Sequence, residues 1–536
     1  MKRRNLILPA TVAMSVALIS SAAFAAQPQR DNFQSFNAER VGSGDSYVHP
    51  LGKKQNALKQ KALEAKVMGL ASGKVHEVAK GQYVELEREG EDLIWTVLAE
   101  FGDDPFYDPP GLPGPLHNEI PAPDRTPNNN NSTIWVEDFN QAYYEETLFA
   151  DSSDAISMRN FYKEVSSNRY VVDGEVTDWG KVLNNHASYG RYSSDAWFFV
   201  MESLDDWYET KLIEGWTADD FDDFLSKYDV WDRYDYDGDG DFNEPDGYID
   251  HFQSVHAGEG NEAGGGAYGD DAIWSHRWYA FYNGIGIWGP GFNPAGGVPI
   301  GDTGYWVGDY TIEPENGGVG VFAHEFGHDL DLPDLYNTGN GTDNSVSYWS
   351  LMSAGSWTSQ DPDNIGSAPT HMGAWEKFQL GWLNYEVAFA GQKSEHKLGP
   401  AEANTKQAQA LFVVLPQKYE EVTVGVPFEG DYFYFSGSGN DLDNFMYRTF
   451  TLAPGSSLSA KANVQIEVDW DYAYLIVSDD GGATWTNVNT NLSTNTDPNG
   501  QNFGEGITGD SHGYVDLTAD LSAFVGDVLI GFRYWT

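Results

Sequence analysis

There is no cysteine among the 536 residues, so neither a disulfide nor a thiolate metal site is open to this chain. Stability has to come from core packing and bound ions. Basic residues are scarce as well: 31 stand against 81 acidic ones, a formal net charge of −50. Phosphate binding needs the opposite surface, so nucleic acid is excluded as a partner. The same acidity suits an exported protein working in salt, and it favours cations. Long apolar runs are missing too, apart from one at the N-terminus. There Lys2, Arg3 and Arg4 precede a run from Leu6 to Ile19, and Ala23-Phe24-Ala25 supplies a small-residue cleavage pattern. Residues 1–25 therefore read as a secretory signal. The expected location is extracellular, with no membrane anchor left after cleavage.

Aromatics are abundant, with 18 Trp, 30 Tyr and 29 Phe, which suits large packed cores. The length allows about three domains. Charge is unevenly spread: residues 27–90 hold 10 basic and 8 acidic residues, and 91–536 hold 18 and 73. Residues 26–90, with a helix expected from Gln55 to about Leu70, are read as a prosegment. An N-terminal helical subdomain that stays in the mature protein is the alternative. The run Leu93 to Ala99 predicts a first buried strand. A Pro- and Asn-rich loop, 105–131, follows as a plausible nicking site. The main domain is placed at 91–385, with a further helix around 374–380. Beyond it, 386–536 alternates in short runs with turn signals, which predicts an all-β sandwich of jelly-roll type. One hairpin is explicit: a strand at 471–478, a turn at Asp479-Asp480-Gly481-Gly482, and a return strand. The chain stops within or just after a strand, as a truncated sandwich would.

The segment carrying the most chemistry is His324-Glu325-Phe326-Gly327-His328. Residues four apart on a helix differ by about 40° of rotation, so the two imidazoles point the same way. Together they can hold one zinc ion, with Glu325 beside them as general base. Phe322, Phe326 and Leu330 form an apolar stripe away from the histidines, so one face can dock in a core while the other faces a cleft. A catalytic zinc needs a third protein ligand. Asp334 lies ten residues after His324, the spacing at which a helix ends, reverses and returns a side chain. In that scheme Asp331 takes the left-handed turn position usually filled by Gly, and Asp is among the few residues that tolerate it. His371 and Glu376 are the competing third ligands.

The string from His324 to Asp334 resembles the immune inhibitor A family of secreted metallopeptidases, a metzincin-like group. Ser350-Leu351-Met352-Ser353-Ala354-Gly355-Ser356-Trp357 is similar to that family's Met-turn, which would place Met352 beneath the zinc. The resemblance runs from about Glu91 to the C-terminus. It implies an exported endopeptidase made as a zymogen, with an α+β metzincin-like peptidase domain. Without cysteine, latency would rest on an Asp or His of the prosegment, with His49 and His76 available, or on steric blockage.

A second motif runs from Asp235 to Asp246. Asp235, Asp237, Asp239, Asn243 and Asp246 fall at the side-chain ligand positions of a twelve-residue calcium loop, with Gly240 at the sharp turn. Asp241 would contribute its backbone carbonyl. Carboxylates this crowded repel one another unless a divalent cation sits among them. Gly247 to Phe252 reads as a strand, so a complete helix–loop–helix hand is not expected. The Gly-rich stretch 257–269 reads as a flexible surface loop.

The favoured reading is a monomeric zinc endopeptidase acting on extracellular proteins and peptides. Zinc would be bound by His324, His328 and Asp334, with Glu325 as base, and structural calcium by the acidic loop. The rival is a secreted calcium-stabilised binding protein in which the sandwich does the work.

Overall fold

The apolar run at 93–99 becomes the centre of a mixed sheet. The computed structural model describes residues 45–126, 133–338, 344–360, 364–419, 422–439, 442–482, 484–498 and 501–536. The expected signal sequence, the first part of the expected prosegment and the Asn run at 128–131 lie outside the described residues.

The first described elements are helix α1 (Pro50–Val67) and a hairpin of β1 (Val75–Ala79) and β2 (Gln82–Glu85). Pro50 opens α1, where its missing N–H costs nothing. Leu58, Ala62 and Leu63 of α1 pack with Val84 and Leu86 against Phe378 and Leu383 of the main domain. The N-terminal segment is thus anchored to the main domain through a shared core.

Next come strand β3 (Gly90–Glu100), helices α2 (Gln141–Phe149) and α3 (Met158–Val165), and strand β4 (Tyr170–Val176). Helix α4 (Ala196–Glu214), strands β5 (Phe252–His256), β6 (His276–Tyr279) and β7 (Asp309–Pro314), and helices α5 (Val319–Asp329) and α6 (Ala374–Gln379) complete the domain's frame. The strands lie in the order β4-β3-β5-β7-β6. All neighbours are parallel except β6, which runs antiparallel to β7 and carries on its outer edge, among the described residues, a single parallel bridge from Ser46 to Arg277.

Alternation along β3 sorts its side chains to two faces. Trp95, Val97 and Ala99 meet Trp197, Val200 and Leu204 of α4. Ile94 and Leu98 point the other way, into a core shared with Leu148 of α2, Tyr162 of α3 and the α5 stripe Phe322, Phe326 and Leu330. A sheet covered on both faces explains why residues 93–99 are apolar at every position but Thr96, whose hydroxyl donates to Gln253 at 3.1 Å. Burying each stripe residue contributes roughly 1.5–3 kcal/mol, which fixes the roll of α5 about its axis.

Two expectations shift. Gly247 to Phe252 is not one continuous strand: Tyr248 makes an isolated parallel bridge to Trp306, and pairing in the central sheet starts only at Phe252. The helix expected from Gln55 begins earlier, at Pro50, and ends at Val67.

The C-terminal region is all β. Residues 385–389 pair in parallel with 410–414. Strands 443–452, 526–535, 472–478 and 486–488 follow in that order across an antiparallel sheet, and 457–466 pairs with 509–520. The explicit hairpin forms, with Leu475 opposite Val488 and Val477 opposite Thr486. Along 472–478 the side chains alternate between two cores, Tyr472, Tyr474 and Ile476 on one side, Leu475 and Val477 on the other. Among the described residues, no helix is long and apolar enough to cross a membrane.

Candidate metal centre

Helix α5 lies close on the loop that carries Met352. A Cβ on Gly320 would stand 1.9 Å from the Ser356 carbonyl oxygen, so only glycine permits that approach. The helix then ends in a Schellman motif: Asp331 N–H donates to the His328 carbonyl at 2.9 Å and Leu332 N–H to that of Gly327 at 3.0 Å. Asp331 takes the left-handed turn position with φ 68°, as its place in the sequence predicts. The chain reverses there, and Leu335 N–H donates to the Met352 carbonyl at 2.7 Å, which holds Asp334 against the helix.

The histidines are aimed by their outer nitrogens. Nδ1 of His324 lies 2.8 Å from the Leu351 carbonyl, and Nδ1 of His328 lies 2.7 Å from that of Leu332. A carbonyl only accepts, so both Nδ1 atoms carry hydrogen and both Nε2 lone pairs are free. These two Nε2 atoms stand 3.1 Å apart. Asp334 Oδ1 lies 3.4 Å from one and 3.3 Å from the other, buried and without a hydrogen-bond partner. Three converging acceptors repel one another unless a cation sits among them, and the set fits a metal ion. Burial opposes charge on the imidazoles, yet neighbouring Asp45 and Asp334 outweigh it and hold both above the ordinary histidine pKa. The pocket is built for positive charge.

Glu325 is buried beside this group, and its Oε2 has no hydrogen-bond partner. Burial first, then the Asp45 carboxylate, pushes it well above the usual glutamate range, with His324 opposing. A carboxylate so disposed takes up protons readily. The competing third ligands are placed differently. His371 stands 3.9 Å from Glu164, and Glu376 accepts a short hydrogen bond from Ser350. Glu376 thereby braces the loop below the centre.

Two residues at the centre were not singled out from the sequence. Asp45 presents Oδ1 at 3.1 Å from His328 Nε2 and Oδ2 at 3.3 Å from His324 Nε2. Tyr336 donates its hydroxyl to Asp45 Oδ2 at 3.0 Å. Asp45 joins His324, His328 and Asp334 in one group whose ligand atoms all lie within 4.8 Å of one another. Of the expected latency residues, His49 bonds Tyr234 (2.9 Å), and His76 sits in the β1–β2 hairpin.

The acidic loop forms a chain of side-chain turns. Asp235 Oδ1 accepts from Gly240 N–H at 2.8 Å, Asp237 from Asp239 N–H at 3.1 Å and Asp239 from Asp241 N–H at 2.7 Å. Asp235, Asp237 and Asp239 converge, and Asp237 also converges with Asp232 and Glu244, neither of which the loop pattern includes. Asp241 and Asn243 stay exposed, with Asn243 N–H donating to Asp241 at 3.0 Å. Asp246 is not brought to the group. It is buried, receiving Tyr248 N–H at 3.0 Å and, through its carbonyl, the Asn293 amide at 3.1 Å.

Two imidazoles with freed lone pairs, a carboxylate returned by a left-handed turn, and a buried glutamate beside them make the centre of a metallopeptidase. The comparisons agree. Residues 80–383 match the immune inhibitor A peptidase M6 catalytic domain, and 394–536 match the immune inhibitor A-like MAM domain. The chain belongs to the immune inhibitor A family of metallopeptidases. It is 32% identical over 521 residues to the pre-pro-metalloprotease PrtV of Vibrio cholerae serotype O1, covering 93% of this chain and 52% of that protein. It is 34% identical over 380 residues to immune inhibitor A of Bacillus thuringiensis subsp. alesti, covering 66% and 50%. The chain spans about half the length of the relatives it matches.

Proposed function

We propose that this chain is a secreted, zinc-dependent endopeptidase of metzincin-like architecture, made as a zymogen and stabilised by calcium. The observation that carries the reading is the convergence of His324 Nε2, His328 Nε2 and the unpartnered Asp334 Oδ1 next to Glu325. His324, His328 and Asp334 would hold zinc, which would supply Lewis acidity to the scissile carbonyl and acidify the attacking water. The protein does the rest. Glu325 takes the proton of the attacking water at its carboxylate and hands it to the leaving amine. The outer edge of β6, where Ser46 bridges Arg277, lies next to the centre and would offer main-chain partners to an extended peptide once residues 45–47 leave it. Extracellular proteins and peptides are the substrates this implies, and the −50 charge speaks against nucleic acid. The C-terminal region, which we read as a jelly-roll-type sandwich, braces the catalytic domain or adds to substrate binding.

The calcium reading rests on the crowded carboxylates of the acidic loop, with Asp235, Asp237 and Asp239 on one side and Asp232 and Glu244 on the other. The test of the catalytic reading is Glu325→Gln. The variant is expected to keep one zinc per chain by elemental analysis and, once processed, to lack the casein hydrolysis of the processed parent. Retained turnover would refute Glu325 as the base, and a chain that takes up no zinc would refute the centre.

A further inference from the structure

Asp45 is 283 residues from His328 in sequence, yet its carboxylate faces both histidine nitrogens. Its position is held from several sides. Arg277 N–H donates to the Asp45 carbonyl at 2.7 Å, and Tyr47 N–H donates to the Arg277 carbonyl at 3.1 Å. Ser46 thereby pairs in parallel with Arg277, so residues 45–47 lie along the outer edge of β6 as a short added strand. The Tyr47 ring rests on Trp278 with centroids 4.7 Å apart. Tyr336 fixes one carboxylate oxygen from the opposite side.

The segment is tethered as well as placed. His49, buried, bonds Tyr234 Oη at 2.9 Å and caps α1, which begins at the next residue. Helix α1 is in turn locked into the main domain through Leu58, Ala62 and Leu63. Four residues, 46–49, separate Asp45 from the start of α1, so the carboxylate is presented to the centre at high effective concentration. Its chemistry fits the place. A carboxylate buried among Asp334 and Glu325 is costly unless it shares a cation with them, and oxygen is an accepted zinc ligand. Three protein ligands leave one position of a catalytic zinc open, and Asp45 stands beside the three.

We infer that Asp45 is a fourth, prosegment-borne ligand of the catalytic metal, and that residues 45–47 fill the substrate's place on the edge of β6 and keep the chain latent. This rests on the zinc and zymogen reading above. It assigns latency to one carboxylate and to occupation of one strand edge. Cleavage between Asp45 and α1 would cut the tether, and the short strand could not hold its place by two main-chain bonds.

The test uses the full chain with Glu325→Gln, which prevents self-cleavage, with and without Asp45→Asn. Asparagine keeps the shape and the Tyr336 contact but is a poor ligand. Asp45→Ala is the second variant, and matching thermal unfolding shows that each is folded. Each protein is loaded with cobalt(II), and acetohydroxamate, a metal-binding probe, is titrated while the visible cobalt bands are followed. We expect the parent to resist the probe and both Asp45 variants to bind it about 100-fold more tightly, as for a site whose plug fills it ~99% of the time. On the Glu325 background, Asp45→Asn should cleave casein before any processing. One cobalt per chain with equal probe binding in all three proteins would overturn the role of Asp45 and leave the metal centre standing. Absence of stoichiometric cobalt from the parent and both variants would instead overturn the metal reading itself, and the inference with it.

Discussion

The sulfur of Met352 lies where a side chain on Gly327 would begin: a Cβ there would stand 2.5 Å from Met352 Sδ. The glycine between Phe326 and His328 is therefore a packing requirement, and Met352 passes directly under the metal helix. In an unconstrained helix Gly→Ala stabilises by roughly 0.5–1 kcal/mol. Here the sign reverses. Gly327→Ala is expected to cost about 1–3 kcal/mol in urea unfolding and to weaken metal binding, because overpacking pushes α5 off its bed. Met352→Ala in the same chain makes room and should recover most of the loss. A stabilised Gly327→Ala protein would show that the contact is slack.

Asp331 carries φ 68° at the end of α5, and its turn returns Asp334 to the centre. A non-Gly residue in that region costs roughly 1–2 kcal/mol, less for Asp, whose short side chain can bond locally. Asp331→Gly is expected to leave zinc content unchanged and stability within about 1 kcal/mol. Asp331→Val should lower both, since a β-branched side chain resists the turn. Zinc titration on the folded proteins reads the difference. Equal behaviour of the two variants would mean that the turn does not position Asp334.

The third ligand is decided by a pair of substitutions. On an Asp45→Asn background, so that the Asp45 carboxylate cannot stand in, Asp334→Ala removes the unpartnered oxygen facing both histidines and should abolish stoichiometric zinc. His371→Ala should keep it, because His371 faces Glu164 and the Met372 carbonyl instead. Elemental analysis of both proteins after dialysis settles the choice. The reverse result would move the ligand to His371.

What the sequence shows plainly is what local spacing dictates. The strand around 93–99, the 3.6-residue stripe of α5 and the reversal at Asp331 all follow from periodicity and backbone preference. Asp45 and Tyr336 carry no such mark. Asp45 reaches the centre through strand pairing with Arg277, and no pattern in its own neighbourhood announces that contact. The acidic loop shows a different limit. Counting twelve positions leads to Asp246, but that residue is buried, and its carboxylate accepts from Tyr248 N–H at 3.0 Å and from the Asn293 amide at 3.4 Å. Asp232 and Glu244 come to face Asp237 instead, one from before the loop and one from within it.

That substitution of partners carries a pH-dependent consequence. Burial raises Asp232 to about 6. Burial also raises Asp235 and Glu244, with neighbouring carboxylates adding to the effect. A carboxyl whose folded value lies above its unfolded value of about 3.9 binds more proton in the folded chain between the two. Its contribution to stability therefore falls as pH rises through that window, to about 6 for Asp232. Calcium displaces the protons and repays the loss, so its stabilising effect should be small near pH ~4.5 and full above ~7. At 100-fold excess over Kd it should reach about 2.7 kcal/mol. Thermal unfolding with calcium or a chelator, at both pH values, measures this directly. Asp232→Asn and Glu244→Gln should each cut the calcium shift at neutral pH, whereas Asp246→Asn should leave it in place. A shift that survives Asp232→Asn and disappears with Asp246→Asn would return the ion to the twelve-residue pattern.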